Sequence, residues 1–246
     1  MLPLRTKVAY EEQEFLRRKR LGSLASLFYA GEAGAWYDPS DLSTLFQDSA
    51  GTTPVVNDGD PVGMMRDKSG NGNHIVQATA AARPIFHTSG GKYWIEADGV
   101  DDRMAVGFTI PQPWDRVSAI RQVTWTLSDR IFGGFNVNSG ALFQSTATPR
   151  LGMFSGVVHN GVTDLAVGAD GVVTERHNGA NSSIAVGSLA YTTADAGTVA
   201  AAGLALFCRH DTLANFGNAR CYGVVMRAAM TDDQITYARA YMASKI

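Results

Sequence analysis

Residues 93–110 read Tyr93-Trp-Ile-Glu-Ala-Asp-Gly-Val-Asp-Asp-Arg-Met-Ala-Val-Gly-Phe-Thr-Ile110. Two runs typical of β-strands, 93–95 and 104–110, flank Asp98-Gly99, a dipeptide that favours a turn. The same rhythm continues along the chain from residue 31, with further strands indicated at 122–127, 141–143, 150–154, 172–174, 183–186, 204–208 and 219–226. Many short strands without alternating long helices predict an all-β fold, an antiparallel jelly-roll β-sandwich.

Helices are indicated only at the two ends of the chain. Thr231 and Gln234 form a capping box that begins a helix over 231–245, which closes the sandwich. An amphipathic pattern predicts another helix from residue 8 to about 28. We therefore divide the chain into a helical arm, 1–30, and one sandwich domain, 31–246.

Charge separates the arm from the domain. The chain has 21 Lys+Arg and 23 Asp+Glu, a formal charge of −2. Residues 1–20 contain six basic and three acidic groups, a local +3, which leaves −5 for the rest. A charged fraction of 18% with 26 glycines argues against nucleic-acid binding and against disorder. The arm is either a helix packed on its own domain or an attachment segment, with contacts assigned to Phe15, Leu16, Arg17, Arg18, Lys19 and Arg20.

Compartment signals are few. No apolar run approaches the roughly 18 residues needed to span a bilayer, so membrane insertion is not expected. The glutamates at 11, 12 and 14 occupy the place of a signal-peptide core, so Sec-dependent secretion is not expected either. Cys208 and Cys221 are the only cysteines, and we expect two reduced thiols.

Several stretches carry a family resemblance. They are Asp67-Lys-Ser-Gly-Asn-Gly-Asn-His74, Ile95-Glu-Ala-Asp-Gly-Val-Asp-Asp102 and the closing segment 216–235. In this order they resemble the laminin-G-like branch of the concanavalin A-like lectin/glucanase superfamily. Residues 34–48, 51–54 and 60–63 are similar to a segment common in structural proteins of tailed bacteriophages. The resemblance covers 34–104 and the last thirty residues.

The resemblance implies a non-enzymatic virion component of a bacteriophage, at the tail fibre, baseplate or capsid surface. Its expected partners are other virion proteins and further copies of the chain, since repeated virion parts are usually symmetric oligomers. It would assemble in the host bacterial cytoplasm, with the arm attaching the sandwich to its neighbour. The alternative is a lectin-like module that recognises host surface glycan.

Two binding sites are considered alongside this interpretation. Asp67, Ser69 and Asn71 place oxygen side chains at alternate positions before Gly72, as in the first half of a calcium loop, but Ala78 stands where the bidentate carboxylate belongs. No cofactor other than calcium is expected, and turn formation explains this stretch as well. Trp114 lies in a predicted loop and is the candidate for stacking on a sugar, whereas Trp94 and Trp125 are assigned to the core.

A β-glycan hydrolase is the last alternative. Glu96-Ala-Asp98-Gly-Val-Asp101 is a near miss to the Glu-x-Asp-x-x-Glu strand of the superfamily's glucanases. Retaining glycosidases need two carboxyl groups about 5 Å apart, one of them with a raised pKa. Gly99 predicts a hairpin turn that would break the strand, with Asp101 or Asp102 bonding local backbone amides. We therefore expect a turn without catalysis.

Overall fold

The computed structural model describes residues 23–135, 137–147, 149–187 and 190–246. Most of the predicted N-terminal helix, with the attachment residues 15–20, lies outside this part of the chain. Near the start of the described residues, Leu24–Phe28 form a 3-10 helix. The strands that follow are β1 (Gly34–Tyr37), β2 (Leu45–Phe46), β3 (Met64–Met65), β4 (Ile75–Val76), β5 (Ile85–Ser89), β6 (Lys92–Glu96), β7 (Met104–Val106), β8 (Trp114–Gln122), β9 (Arg130–Gly133), β10 (Ala141–Gln144), β11 (Leu151–Phe154), β12 (Val158–Asn160), β13 (Asp170–His177), β14 (Ser182–Val186), β15 (Thr192–Ala194), β16 (Leu204–Leu206) and β17 (Ala219–Ala228).

Within the described residues these strands form two sheets, and every paired strand runs antiparallel to its neighbour. Sheet A has the order β15-β14-β13-β8-β17-β6-β5, and β1 pairs with β17 beside this path. Sheet B has the order β12-β11-β10-β9-β16-β7-β4-β3-β2. The prediction of an all-β sandwich is confirmed.

The main core lies between the two sheets. Alternate residues of sheet A, such as Ile95, Ile120 and Val224, meet Met104 and Leu204 of sheet B, and all of them are inaccessible to solvent. This alternation is the period of two that strands impose on their side chains. The residues between them therefore face outward from sheet A.

One α-helix is found in the described part of the chain, α1 (Asp232–Ala243), and it covers part of that outer face. Thr231 and Gln234 make the predicted capping box, and Ile235, Ala238 and Met242 are buried against sheet A. The predicted closing helix is confirmed. Within the described residues, no helix is both long and apolar enough to cross a membrane.

The structure corrects the strand prediction at two places. Residues 122–127 do not form a strand; instead β8, which the sequence did not indicate, ends at Gln122 and lies at the centre of sheet A. Asp98-Gly99 does not close a hairpin, because β6 belongs to sheet A and β7 to sheet B. Cys208 and Cys221 are buried free thiols in separate clusters.

Candidate active site

The turn between β6 and β7 holds three aspartates where the chain crosses from one sheet to the other. β6 keeps its pairing as far as Ala97, whose amide donates to the Ala219 carbonyl over 3.1 Å. Gly99 then takes a φ of +80°, and a Cβ there would lie 2.9 Å from the Asn218 Cβ. Glycine is required at this position because both the backbone conformation and the close approach exclude a side chain.

Hydrogen bonds within the turn bring its carboxyl groups together. The Asp98 amide donates to Asp102 Oδ2 over 3.1 Å, and the Val100 amide donates to Asp98 Oδ1 over 2.8 Å. One carboxylate oxygen from each of Asp98, Asp101 and Asp102 lies within 4.8 Å of the others. We call these three residues the carboxyl turn. The predicted local bonding of Asp102 is confirmed, and the three oxygens could also ligate a divalent cation.

The members of the carboxyl turn differ in environment. Asp102 is buried, whereas Asp98 is exposed. Burial raises the pKa of Asp102 to about 6, and the negative charges of Asp98 and Asp101 add to this rise. Among the described residues none donates a hydrogen bond to the Asp101 carboxylate; the bond from Arg103 goes to its backbone carbonyl. An acid whose pKa is raised to about 6 therefore lies within 4.8 Å of two further carboxyl groups, and a raised-pKa acid beside a second carboxyl group is what a general acid and a nucleophile require.

Glu96, which opens the glucanase-like stretch, is not part of this group. Its Oε2 accepts from Trp94 Nε1 over 3.0 Å and lies 2.7 Å from Arg220 Nε. The carboxylate is thus held on the outer face of sheet A. β6 ends at Glu96, before Gly99, so the predicted break in the strand is confirmed.

A row of four charges crosses the outer face of sheet A next to the carboxyl turn. Glu96, Arg220, Arg121 and Asp170 are successive cross-strand partners on β6, β17, β8 and β13. We call them the charged row. Arg121 Nε donates to Asp170 Oδ1 over 2.7 Å, and the Tyr222 hydroxyl donates to the same oxygen over 2.7 Å. Burial works to raise the pKa of Asp170, but these bonds outweigh it and the net shift is downward.

The predicted calcium residues form a hydrogen-bonded loop. Asp67 Oδ1 accepts from the amides of Trp36 and Ser69, and Oδ2 accepts from the Asn73 amide and the Ser69 hydroxyl. Asn71 turns its side-chain nitrogen toward the carbonyl of Gly34 at 3.0 Å. Both carboxylate oxygens of Asp67 thus already have protein donors. Calcium binding by Asp67, Ser69 and Asn71 stays a prediction.

Trp114 lies inside the sandwich and not in an exposed loop, which corrects the expectation that it could stack on a sugar. It begins β8, has no accessible surface, and stacks on His177 with ring centroids 3.7 Å apart. Arg116 and Glu175, also without accessible surface, form a two-pronged ion pair beside it, with N–O distances of 2.6 and 2.7 Å. His177 Nδ1 lies 2.8 Å from the Ser155 hydroxyl. Trp94 is in the core as expected, but Trp125 is partly exposed.

The comparisons with known proteins concern the fold. No family model matches the sequence, and no curated protein matches it. A GH54 α-L-arabinofuranosidase soaked with a cyclic sulfate inhibitor is similar in structure, with a TM-score of 0.66 and 14% identity over 90% of this chain and 65% of that one. An arabinofuranosidase complexed with arabinofuranosyl-α-1,2-xylobiose gives a TM-score of 0.61 at 14% identity, with the same coverage. Trypanosoma rangeli sialidase gives 0.55 at 7% identity, over 88% of this chain and 33% of the sialidase.

These similarities overturn the functional expectation. The similar structures named above are glycosidases, which contradicts the prediction of a non-enzymatic virion component at a tail fibre, baseplate or capsid surface and the prediction that the chain is not an enzyme. The lectin-like alternative is not favoured either. At 7–14% identity the likeness establishes the fold alone, and the chain spans less than two thirds of the length of these proteins.

Sequence reasoning found the aspartates of the carboxyl turn but gave them a structural role. It missed the charged row, because Arg121 and Asp170 stand far from Glu96 and Arg220 in the chain and meet only through sheet pairing. The signal available in the sequence was the alternation of side chains along a strand. Trp94, Glu96 and Asp98 are alternate residues, so they lie on one face of the sheet if the strand is identified correctly.

Proposed function

We propose that this chain is a glycan-processing domain that hydrolyses a glycosidic bond with the carboxyl turn. The finer fold that we propose for it is a concanavalin A-like jelly roll. Its similarity in fold to arabinofuranosidase and sialidase supports an action on carbohydrate. The observation that carries the proposal is the close carboxyl group: oxygens within 4.8 Å, with the pKa of one acid raised to about 6.

The spacing fits a retaining mechanism, in which the two carboxyl groups lie about 5–5.5 Å apart. Asp101 is the nucleophile, since its carboxylate is free of hydrogen bonds from the described residues. It attacks the anomeric carbon as the glycosidic C–O bond breaks, and Asp102 gives its proton to the leaving oxygen. Water then attacks the same carbon, returns a proton to Asp102 and releases Asp101.

Asp98 is a positioning residue in this scheme. Its amide holds Asp102, and its negative charge helps to keep Asp102 protonated. Because the acid form of Asp102 is required, activity should fall as the pH rises above about 6. Gly99 fixes the turn that brings the three groups together.

The test is hydrolysis of a panel of nitrophenyl glycosides, 4-nitrophenyl α-L-arabinofuranoside among them, and of polysaccharides by release of reducing ends. Asp102→Asn and Asp101→Asn should each lower kcat about 100-fold or more. Asp129→Asn is the matched control, because burial also raises the pKa of Asp129 but the residue lies outside the carboxyl turn. No turnover of any substrate by the unmodified chain, or full activity in both carboxyl-turn variants, would refute the proposal.

A further inference from the structure

The charged row breaks a rule of sheet pairing at its centre. Arg121 and Arg220 are direct cross-strand partners on β8 and β17. Like charges placed opposite each other destabilise a pair of strands, so two adjacent arginines in the interior of a sheet need another reason to be there. The flanking carboxylates of Asp170 and Glu96 reduce the repulsion, because each lies 2.7 Å from one guanidinium Nε.

The Arg121 guanidinium keeps unused hydrogen-bonding capacity. Arg121 donates through Nε to Asp170, and its two terminal nitrogens bond to no described residue. Its side chain is 25% exposed and that of Arg220 is 23% exposed, so solvent reaches both. A planar pair of N–H donors on a guanidinium matches the two oxygens of a carboxylate.

Aromatic rings form a floor beneath these charges. The Arg220 guanidinium lies 4.7 Å from the centre of the Trp94 ring, and Trp94 contacts Tyr222 with ring centroids 5.6 Å apart. Both rings are buried, which holds them in place, and Tyr222 also fixes Asp170. Arg220 therefore stands on a buried ring, and Arg121 is held by an aspartate that Tyr222 also fixes, as a specific binding site requires.

The charged row leads directly to the carboxyl turn. β6 ends at Glu96, its pairing continues to Ala97, which faces the inner core, and Asp98 follows two residues after Glu96. Two residues of a strand advance about 7 Å, which is comparable with one sugar ring. A chain of sugars placed at the carboxyl turn would thus have a neighbouring unit at Arg220 and Arg121.

We infer that the charged row binds the carboxylate of an acidic sugar unit, so that the substrate class is a uronate-containing glycan. This inference rests on the proposed function for the site of cleavage, but it makes a separate statement about binding. The carboxylate of the ligand lies between the guanidinium groups of Arg121 and Arg220, where it supplies the negative charge that their direct pairing lacks.

The test is calorimetric titration of the full chain with tri-galacturonic acid and with its uncharged methyl ester. Because Asp101→Asn should prevent turnover, the titrations are repeated in that background. The acid should bind at least about tenfold more tightly than the ester, and its affinity should fall as salt is added. Arg121→Gln and Arg220→Gln should each remove this preference, whereas Arg150→Gln, which breaks an exposed ion pair with Asp164, should not.

Folding of each variant is checked by its thermal melt. If Arg121→Gln fails to fold, Arg121→Lys keeps the charge beside Asp170 but loses the planar fork, and it should weaken acid binding. Equal binding of acid and ester, no binding of either, or an unchanged preference in the arginine variants overturns the inference. If the chain hydrolyses neutral glycosides but does not prefer the acid, the proposed function stands and the inference about uronate binding fails. If it binds the acid selectively but hydrolyses nothing, the inference stands and the proposed function fails.

Discussion

The ion pair of Arg116 and Glu175 should be the most sensitive point in the core. Both side chains have no accessible surface, and two N–O contacts of 2.6 and 2.7 Å join them. Glu175→Leu would leave the Arg116 charge buried with one remaining bond, from Nη1 to the carbonyl of Gly140 over 2.9 Å. Removing one partner of such a pair costs about 3–5 kcal/mol, which is a large part of the total stability of a domain.

The double variant Arg116→Met/Glu175→Leu removes both charges and supplies the comparison. It should be less destabilised than Glu175→Leu alone, because no unpaired charge is then left buried. The Gly140 carbonyl loses a partner, at about 1–3 kcal/mol, and His177 Nε2 loses its contact with Glu175 Oε1 at 3.4 Å in both variants. Urea unfolding of the four proteins in this mutant cycle measures the coupling. A loss below about 1 kcal/mol in Glu175→Leu, or a double variant that equals the sum of the two single changes, would refute the reasoning.

Three further predictions follow from local contacts. Burial lowers the pKa of His177 to about 4, below the usual 6.5, so the free energy of unfolding should keep its full value above pH 6.5 and fall by about 3 kcal/mol as the pH drops to 4. Denaturant midpoints measured against pH should show this fall, and His177→Gln should make it smaller. Gly34→Ala should cost at least about 2 kcal/mol, because a Cβ there would lie 2.0 Å from the Met226 carbonyl oxygen at a φ of +149°; a thermal melt equal to that of the unmodified chain would contradict this. Thr231→Ala should cost about 1 kcal/mol by removing the cap of α1, and Thr231→Ser should restore most of it.

The sequence predicts best where a local signal is sufficient. Thr231 and Gln234 specify the start of α1 through bonds within one helical turn. The Asp98-Gly99 turn was also predicted, since glycine alone tolerates its backbone conformation. The sequence did not predict that this turn connects sheet A to sheet B, because a turn between strands of one sheet and a turn between two sheets have the same local sequence.

β8 shows why a central strand can escape prediction. It is buried on both faces, so it lacks the alternation of apolar and polar residues that marks a half-exposed strand. The start of the segment, at Trp114, was predicted to lie in a loop, and the charged Asp115 and Arg116 lie next to it. Their partners, Arg176 and Glu175, are adjacent on β13 and about sixty residues away in the chain.

The amino-acid sequence by itself indicated many of the short strands, several turns and the closing helix, because propensity, capping and glycine conformation act over a few residues. Only the tertiary structure decided which side chains meet across the sheets. It buried Trp114, paired Arg116 with Glu175, and placed Arg121 beside Arg220 next to the carboxyl turn. These contacts join distant parts of the chain. The burial of these side chains and the charges that surround them are therefore set only after the strands have paired.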